Sequence, residues 1–78
     1  MNTIVRNNGK VDLFNTVKKT LLIIAKSGGM YSIGDIQRAI NNQLPDAKEQ
    51  LSYGAVRRTI VDILASAKRK GIDKSDKA

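Results

Sequence analysis

The sequence predicts a small all-α domain built from three helices. Two observations carry this. Three segments place apolar residues three and four positions apart, the spacing of one face of an α-helix. Each segment opens on a residue that caps helices and closes on a glycine or a proline. With 78 residues the chain has room for one domain, and 41% hydrophobic residues set it apart from a disordered chain.

Residues 1–11 read as a polar arm or a short hairpin. Thr3-Ile4-Val5 is β-prone and Asn8-Gly9 is a turn signal. The first helix starts after Asp12, a good N-cap, with Leu13, Val17, Leu21 and Ile24 as its apolar stripe, widened by Phe14 and Ala25. Ser27-Gly28-Gly29 stops it. Ser32 caps the second helix, with Asp35 three residues on at the positive end of the helix dipole. Ile33, Ile36, Ile40 and Leu44 form its stripe, and Pro45 ends it by pushing Leu44 out of helical geometry. Residues 45–51 read as a loop whose last residue, Leu51, turns back into the core. Ser52 caps the third helix, predicted from Tyr53 to about Lys70 with Val56, Ile60, Ile63, Leu64 and Ala67 inward. Gly71 then stops it, Ile72 packs behind the cap, and residues 73–78 form a mobile tail. The core domain is thus 12–72, with short β pieces allowed at Thr3–Val5, Met30–Tyr31 or Ile72.

Composition removes several function classes. The chain has no Cys and no His, so disulfide scaffolds, thiolate or imidazole metal sites and Cys or His catalysis are out. The seven acidic residues are scattered over caps, loop and tail, and no glycine-rich phosphate loop is present. An enzyme is not predicted, and neither is a cofactor or a metal. The longest apolar run, Leu21-Leu22-Ile23-Ile24-Ala25, is far below the ~20 residues of a membrane span. The N-terminus lacks the basic-then-apolar layout of a signal peptide. A cytoplasmic protein, in the host cytoplasm or on its nucleoid, is the expectation.

Charge supplies the positive clue. Lys and Arg number 14 against 7 Asp and Glu, a net charge of +7, which suits a polyanionic partner. Basic residues concentrate in 1–30 and 52–78, while 31–51 is slightly acidic. At about 100° per residue, the third helix turns Gly54, Arg58, Ala65 and Arg69 away from its apolar stripe, with Arg57 and Lys68 on one flank. Small residues beside two arginines suit a groove floor, since arginine reads guanine edges. Ser52 and Tyr53 stand at the positive helix end, where phosphate is favoured. The same charges also suit plain solvation, and Lys68 and Arg69 complement the dipole of a last turn. Lys18 and Lys19 equally fit the wet side of the first helix. Tyr53 equally fits packing on the second helix, and Val61, off the stripe, fits an ordinary exposed residue or a dimer contact.

The stretch Tyr31-Ser32-Ile33-Gly34-Asp35-Ile36-Gln37-Arg38-Ala39-Ile40, followed after a loop by Leu51-Ser52-Tyr53-Gly54-Ala55-Val56-Arg57-Arg58-Thr59-Ile60-Val61-Asp62-Ile63-Leu64, resembles a helix-turn-helix of the winged-helix type. The resemblance covers roughly 13–72 and is one of caps and apolar spacing rather than of a signature. It departs in two places: the chain after Gly71-Ile72 is too short for a wing, and 45–51 exceeds the turn of a simple helix-turn-helix. A wingless member is therefore implied. The resemblance implies a third helix in the major groove, with Ser52, Tyr53, Gly54, Ala55, Arg57 and Arg58 facing bases. Phosphate contacts would come from Lys18, Lys19, Ser32, Arg38, Lys68 and Arg69.

The reading that follows is a sequence-specific duplex DNA-binding protein, a small transcriptional regulator of the size a phage, plasmid or archaeal virus uses. A homodimer is its usual route to affinity. The alternative is a small protein-interaction module that modulates a larger machine such as a polymerase. Single-strand or RNA binding is disfavoured because only Phe14, Tyr31 and Tyr53 are aromatic and Phe14 belongs to the predicted core. Membrane-surface binding is disfavoured because no helix pairs Trp or Phe with a Lys-rich face.

Overall fold

A computed structural model describes residues 2–76, with side chains through Arg69. The chain is an all-α domain of three helices preceded by a two-stranded hairpin. β1 (Arg6–Asn7) pairs antiparallel with β2 (Lys10–Val11), Arg6 opposite Val11 and Asn7 opposite Lys10. Then follow α1 (Leu13–Ser27), α2 (Ile33–Asn41), a 3₁₀ turn (Ala47–Glu49) and α3 (Tyr53–Asp76).

The hairpin is made by its turn. Asn8 and Gly9 have φ of 56° and 80°, the left-handed pair that a two-residue connection requires and that Asn-Gly adopts readily. Pairing therefore falls on the residues flanking the turn, not on Thr3–Val5. The Val5 carbonyl still extends the ladder by accepting the Asp12 N–H at 2.7 Å, and the amides of the segment bind helix side chains. Thr3 N–H donates to Gln43 Oε1 at 2.8 Å, and Val5 N–H donates to Thr16 Oγ1 at 3.0 Å. Arg6 and Glu49 form a two-bond ion pair, 2.7 and 3.2 Å, that ties the hairpin to the 3₁₀ turn. The N-terminal segment is thus a docked part of the domain.

The caps are local and follow the sequence. Asp12 accepts from Asn15 N–H at 3.1 Å, and Gly28 closes α1 at φ 72°. Ser32 and Asp35 form a reciprocal capping box at α2. Ser52 Oγ accepts from Ala55 N–H at 3.2 Å at the start of α3.

The core is Val17, Ile24, Ile36, Ile40, Leu44 and Val56, with Leu13, Leu21, Ile33, Leu51, Ile60 and Ile63 packed around it. Four threonines join it: Thr3, Thr16, Thr20 and Thr59 are buried, and each hydroxyl makes a hydrogen bond.

Five local expectations are corrected. α2 ends at Asn41, three residues before Leu44. Asn42 and Gln43 form a turn, and Gln43 is held by Thr3 and the Ala39 carbonyl, yet Leu44 still reaches the core. Residues 45–51 contain a 3₁₀ turn started by Asp46, whose carboxylate accepts from Lys48 N–H. Phe14 and Ala25 are exposed rather than core, because α1 turns Thr16 and Thr20 inward. Leu64 is 62% exposed and Ala67 is exposed, since α3 is rotated by about 30–40° from the predicted stripe, which brings Thr59 in. α3 also continues through Gly71 to Asp76, so that glycine is an interior residue, a cost of about 1 kcal/mol that a long helix absorbs. Among the described residues no strand lies at Met30–Tyr31. The predicted contact of the Ile72 side chain, and the end of the tail at Lys77 and Ala78, lie outside the described residues.

Candidate nucleic-acid interface

The start of α3 is fixed by α2. Asn41 and Gln37, a turn apart on α2, both reach the backbone of Leu51. Asn41 Nδ2 and Gln37 Nε2 donate to the Leu51 carbonyl at 2.9 and 3.0 Å, and Asn41 Oδ1 accepts the Leu51 N–H at 2.8 Å. Leu51 packs its side chain against the core at the same point. The residue before the Ser52 cap is therefore held on both polar groups and by its side chain, which sets where α3 begins and how it leaves α2. Sequence reasoning found Leu51 but not Asn41 or Gln37, because a polar residue on a helix flank carries no periodic signal.

From that start α3 buries Val56 and Thr59 and half-buries Ile60 and Ile63. Gly54, Arg57, Arg58, Val61, Ala65, Lys68 and Arg69 are exposed. A side chain added at Gly54 would meet nothing within 4 Å. Among the described residues, none of Arg57, Arg58, Lys68 and Arg69 forms an ion pair. Tyr53 is 52% exposed and Ala55 half-buried at the first turn. Ser52, Tyr53, Gly54, Arg57 and Arg58 are thus brought to one accessible end of the helix.

The two helix starts differ in charge. At α2 the Asp35 carboxylate takes the Ser32 N–H and pairs with Arg38. Those backbone and side-chain bonds, the Ser32 N–H first, hold its carboxyl below the ordinary range. An anion already occupies that terminus, and Arg38, though mostly exposed, shares its charge with Asp35. The first turn of α3 has no acidic residue, so its amides and Ser52 meet an outside anion without repulsion.

The predicted phosphate-contacting set is spread over three helices. Lys68 and Arg69 lie along the same helix as Arg57 and Arg58. Lys18 lines a groove of about 240 Å³ with Phe14, Ile63, Ser66 and Ala67, on the inward side of the second half of α3. Lys19, about 100° further round α1, is exposed away from that groove. Ser32 and Arg38 stand at α2.

Among the described residues no three acidic side chains come together, so no carboxylate cluster could hold a metal ion. None of the helices there is long and apolar enough to cross a membrane. Comparisons of the chain with protein-family models, with characterised proteins and with solved structures find no match.

Proposed function

We propose that the chain is a sequence-specific duplex DNA-binding protein, a small transcriptional regulator acting on the nucleoid or in host cytoplasm. It would lay α3 in the major groove. The observation that carries this reading is the outward face of α3: Arg57 and Arg58 are exposed and lack an ion-pair partner among the described residues, beside the open Gly54 and a helix start without an acidic residue. Arginine on a small-residue face suits guanine edges, and the Ser52 hydroxyl and first-turn amides suit a phosphate. Lys68 and Arg69 extend the positive charge along the backbone. The winged-helix likeness supports the same placement.

The test is Arg58→Ala on a duplex selected from a random pool. It weakens specific binding by about 1–3 kcal/mol and changes folding stability by less than about 0.5 kcal/mol. Unchanged affinity overturns the reading of this face.

A second reading, a protein-interaction module acting on a larger machine such as a polymerase, has its own observation. The groove under α3 opens on the 38%-exposed Phe14, and Leu64 is exposed on α3. Binding that depends on Phe14 and Leu64 and little on salt would favour it.

A further inference from the structure

The exposed cations of α3 are spaced by a rule. Arg57 and Lys68 are eleven residues apart, and so are Arg58 and Arg69. Eleven residues make just over three full turns, so each pair shares a ridge of the helix with its members about 16 Å apart along the axis. The two ridges lie about 100° apart around the helix. Between them runs a ridge without charge: Gly54, Val61 and Ala65, all exposed, with Val61 at 56%. Asp62 is the one acidic residue among the described outward positions and lies on the Arg58–Arg69 ridge.

A second copy of this chain does not suit the face. Two α3 helices side by side bring Arg57 and Arg58 against themselves if parallel, and against Lys68 and Arg69 if antiparallel. Either way like charges meet at both ends, around a seam with one valine and one alanine. A partner with two negative edges and an apolar feature between them does suit it. The major groove of DNA has that form: two phosphate backbones border a floor that carries the thymine 5-methyl groups, the apolar feature of the base edges.

We infer that the reading surface of α3 extends two turns beyond Arg58, and that Val61, with Ala65 behind it, seats on thymine methyl groups in the bound site. This rests on the DNA reading of the α3 face and adds to it a base class and the residue that selects it. Lys68 and Arg69 meet the two phosphate backbones at the far ends of the ridges, Arg57 and Arg58 reach base edges at the near ends, and the chain discriminates thymine from cytosine and from uracil through Val61. The sequence alone fits Val61 equally to an ordinary exposed residue or a dimer contact. Its position on the uncharged ridge between the two cationic ones gives it this role.

The experiment uses the full chain and duplexes of about 20 base pairs enriched from a random pool. Each is prepared with thymine and again with every thymine replaced by deoxyuridine, which removes only the methyl groups. The wild type binds the deoxyuridine duplex about three- to tenfold more weakly, the loss of one or two buried methyl contacts. Val61→Ala weakens binding to the thymine duplex by a similar factor and is nearly indifferent to the replacement. Circular dichroism of that variant matches the wild type. Equal wild-type affinity for the two duplexes overturns the inference while leaving the DNA reading in place, as does an enriched site without thymine. A variant that keeps full sensitivity to the methyl groups overturns the role of Val61. Failure to enrich any duplex overturns the DNA reading and this inference with it.

Discussion

The side-chain amide of Asn41 takes both polar groups of the Leu51 backbone, donating from Nδ2 to the carbonyl at 2.9 Å and accepting the N–H on Oδ1 at 2.8 Å. It serves Leu51 as a neighbouring strand would, although no strand is there. The residue it holds is the last before α3, so this contact sets the orientation of the helix that bears the candidate interface. Asn41→Ala leaves the Leu51 N–H without its partner and the carbonyl with Gln37 alone. Stability falls by about 1–3 kcal/mol in a denaturant titration, more than a surface substitution costs.

The buried threonines separate two kinds of hydroxyl. Thr16 Oγ1 accepts from Val5 N–H at 3.0 Å and bonds the Val5 carbonyl at 3.3 Å, joining the N-terminal segment to α1. Thr20 Oγ1 donates only to the Thr16 carbonyl of its own helix. Thr16→Val therefore strands the Val5 N–H, while the Val5 carbonyl keeps the Asp12 N–H at 2.7 Å, and costs about 1–3 kcal/mol; Thr20→Val strands no backbone group and stays within about 0.5 kcal/mol of the wild type. Equal losses in thermal unfolding would contradict this division.

The rotation of α3 has a direct consequence. Leu64, an inward position by apolar spacing, is 62% exposed, while Val56 is fully buried. Leu64→Gln changes stability by less than about 0.5 kcal/mol, and Val56→Ala lowers it by about 1–3 kcal/mol through a cavity in the core. A large loss for Leu64→Gln would restore the inward placement of that residue.

Three carboxylates set the response to acid. The Asn15 side chain and backbone hold Asp12 below its ordinary value, and the bond from Arg6 does the same for Glu49. Asp35 is lowered by Ser32 and Arg38. A group lowered in the folded state binds protons more readily when unfolded, so its contribution is present above its unfolded value, about pH 4. That contribution is lost as pH falls from there through the folded value. With no His in the chain, stability is flat from about pH 6 to 8 and declines below about pH 4. A transition centred near pH 6.5 in a pH series of thermal melts would contradict this.

Asp62 opposes the cations around it. Its removal in Asp62→Asn tightens duplex binding by roughly two- to fivefold at low salt, and the gain shrinks as salt screens it. An unchanged affinity would place Asp62 away from the phosphate backbone.

How much of this the sequence shows depends on the distance over which each feature is made. Asp12, Ser32, Asp35 and Gly28 act within three or four residues, and their roles are legible as written. The outward placement of Arg57 and Arg58 is legible too, because helical periodicity fixes it. The centre of the α3 stripe is not. Val56, Ile60, Ile63, Leu64 and Ala67 fit a broad apolar face, and which edge is buried depends on α1 and α2. Threonines in the core give no apolar signal. The contacts of Asn41 with Leu51, Gln43 with Thr3 and Arg6 with Glu49 span 10, 40 and 43 residues, beyond any local pattern. For the same reason the sequence names Lys18, Lys19, Ser32 and Arg38 as phosphate contacts by charge and cap alone, without the packing that places α1 and α2 beside α3.

The central claim is that the α3 face binds duplex DNA, and a fluorescence-anisotropy titration of random duplex at several salt concentrations tests it most directly, with single-stranded DNA in parallel. The account predicts duplex binding that weakens steeply with salt. On random duplex, with no selected guanine edge to read, Arg57 and Arg58 fall to the phosphates beside Lys68 and Arg69, and one phosphate neutralised by each gives a log–log slope of about −3.6. Arg57→Ala and Arg58→Ala each flatten it by about one. No duplex binding at low salt, or binding with no salt dependence, would contradict the account.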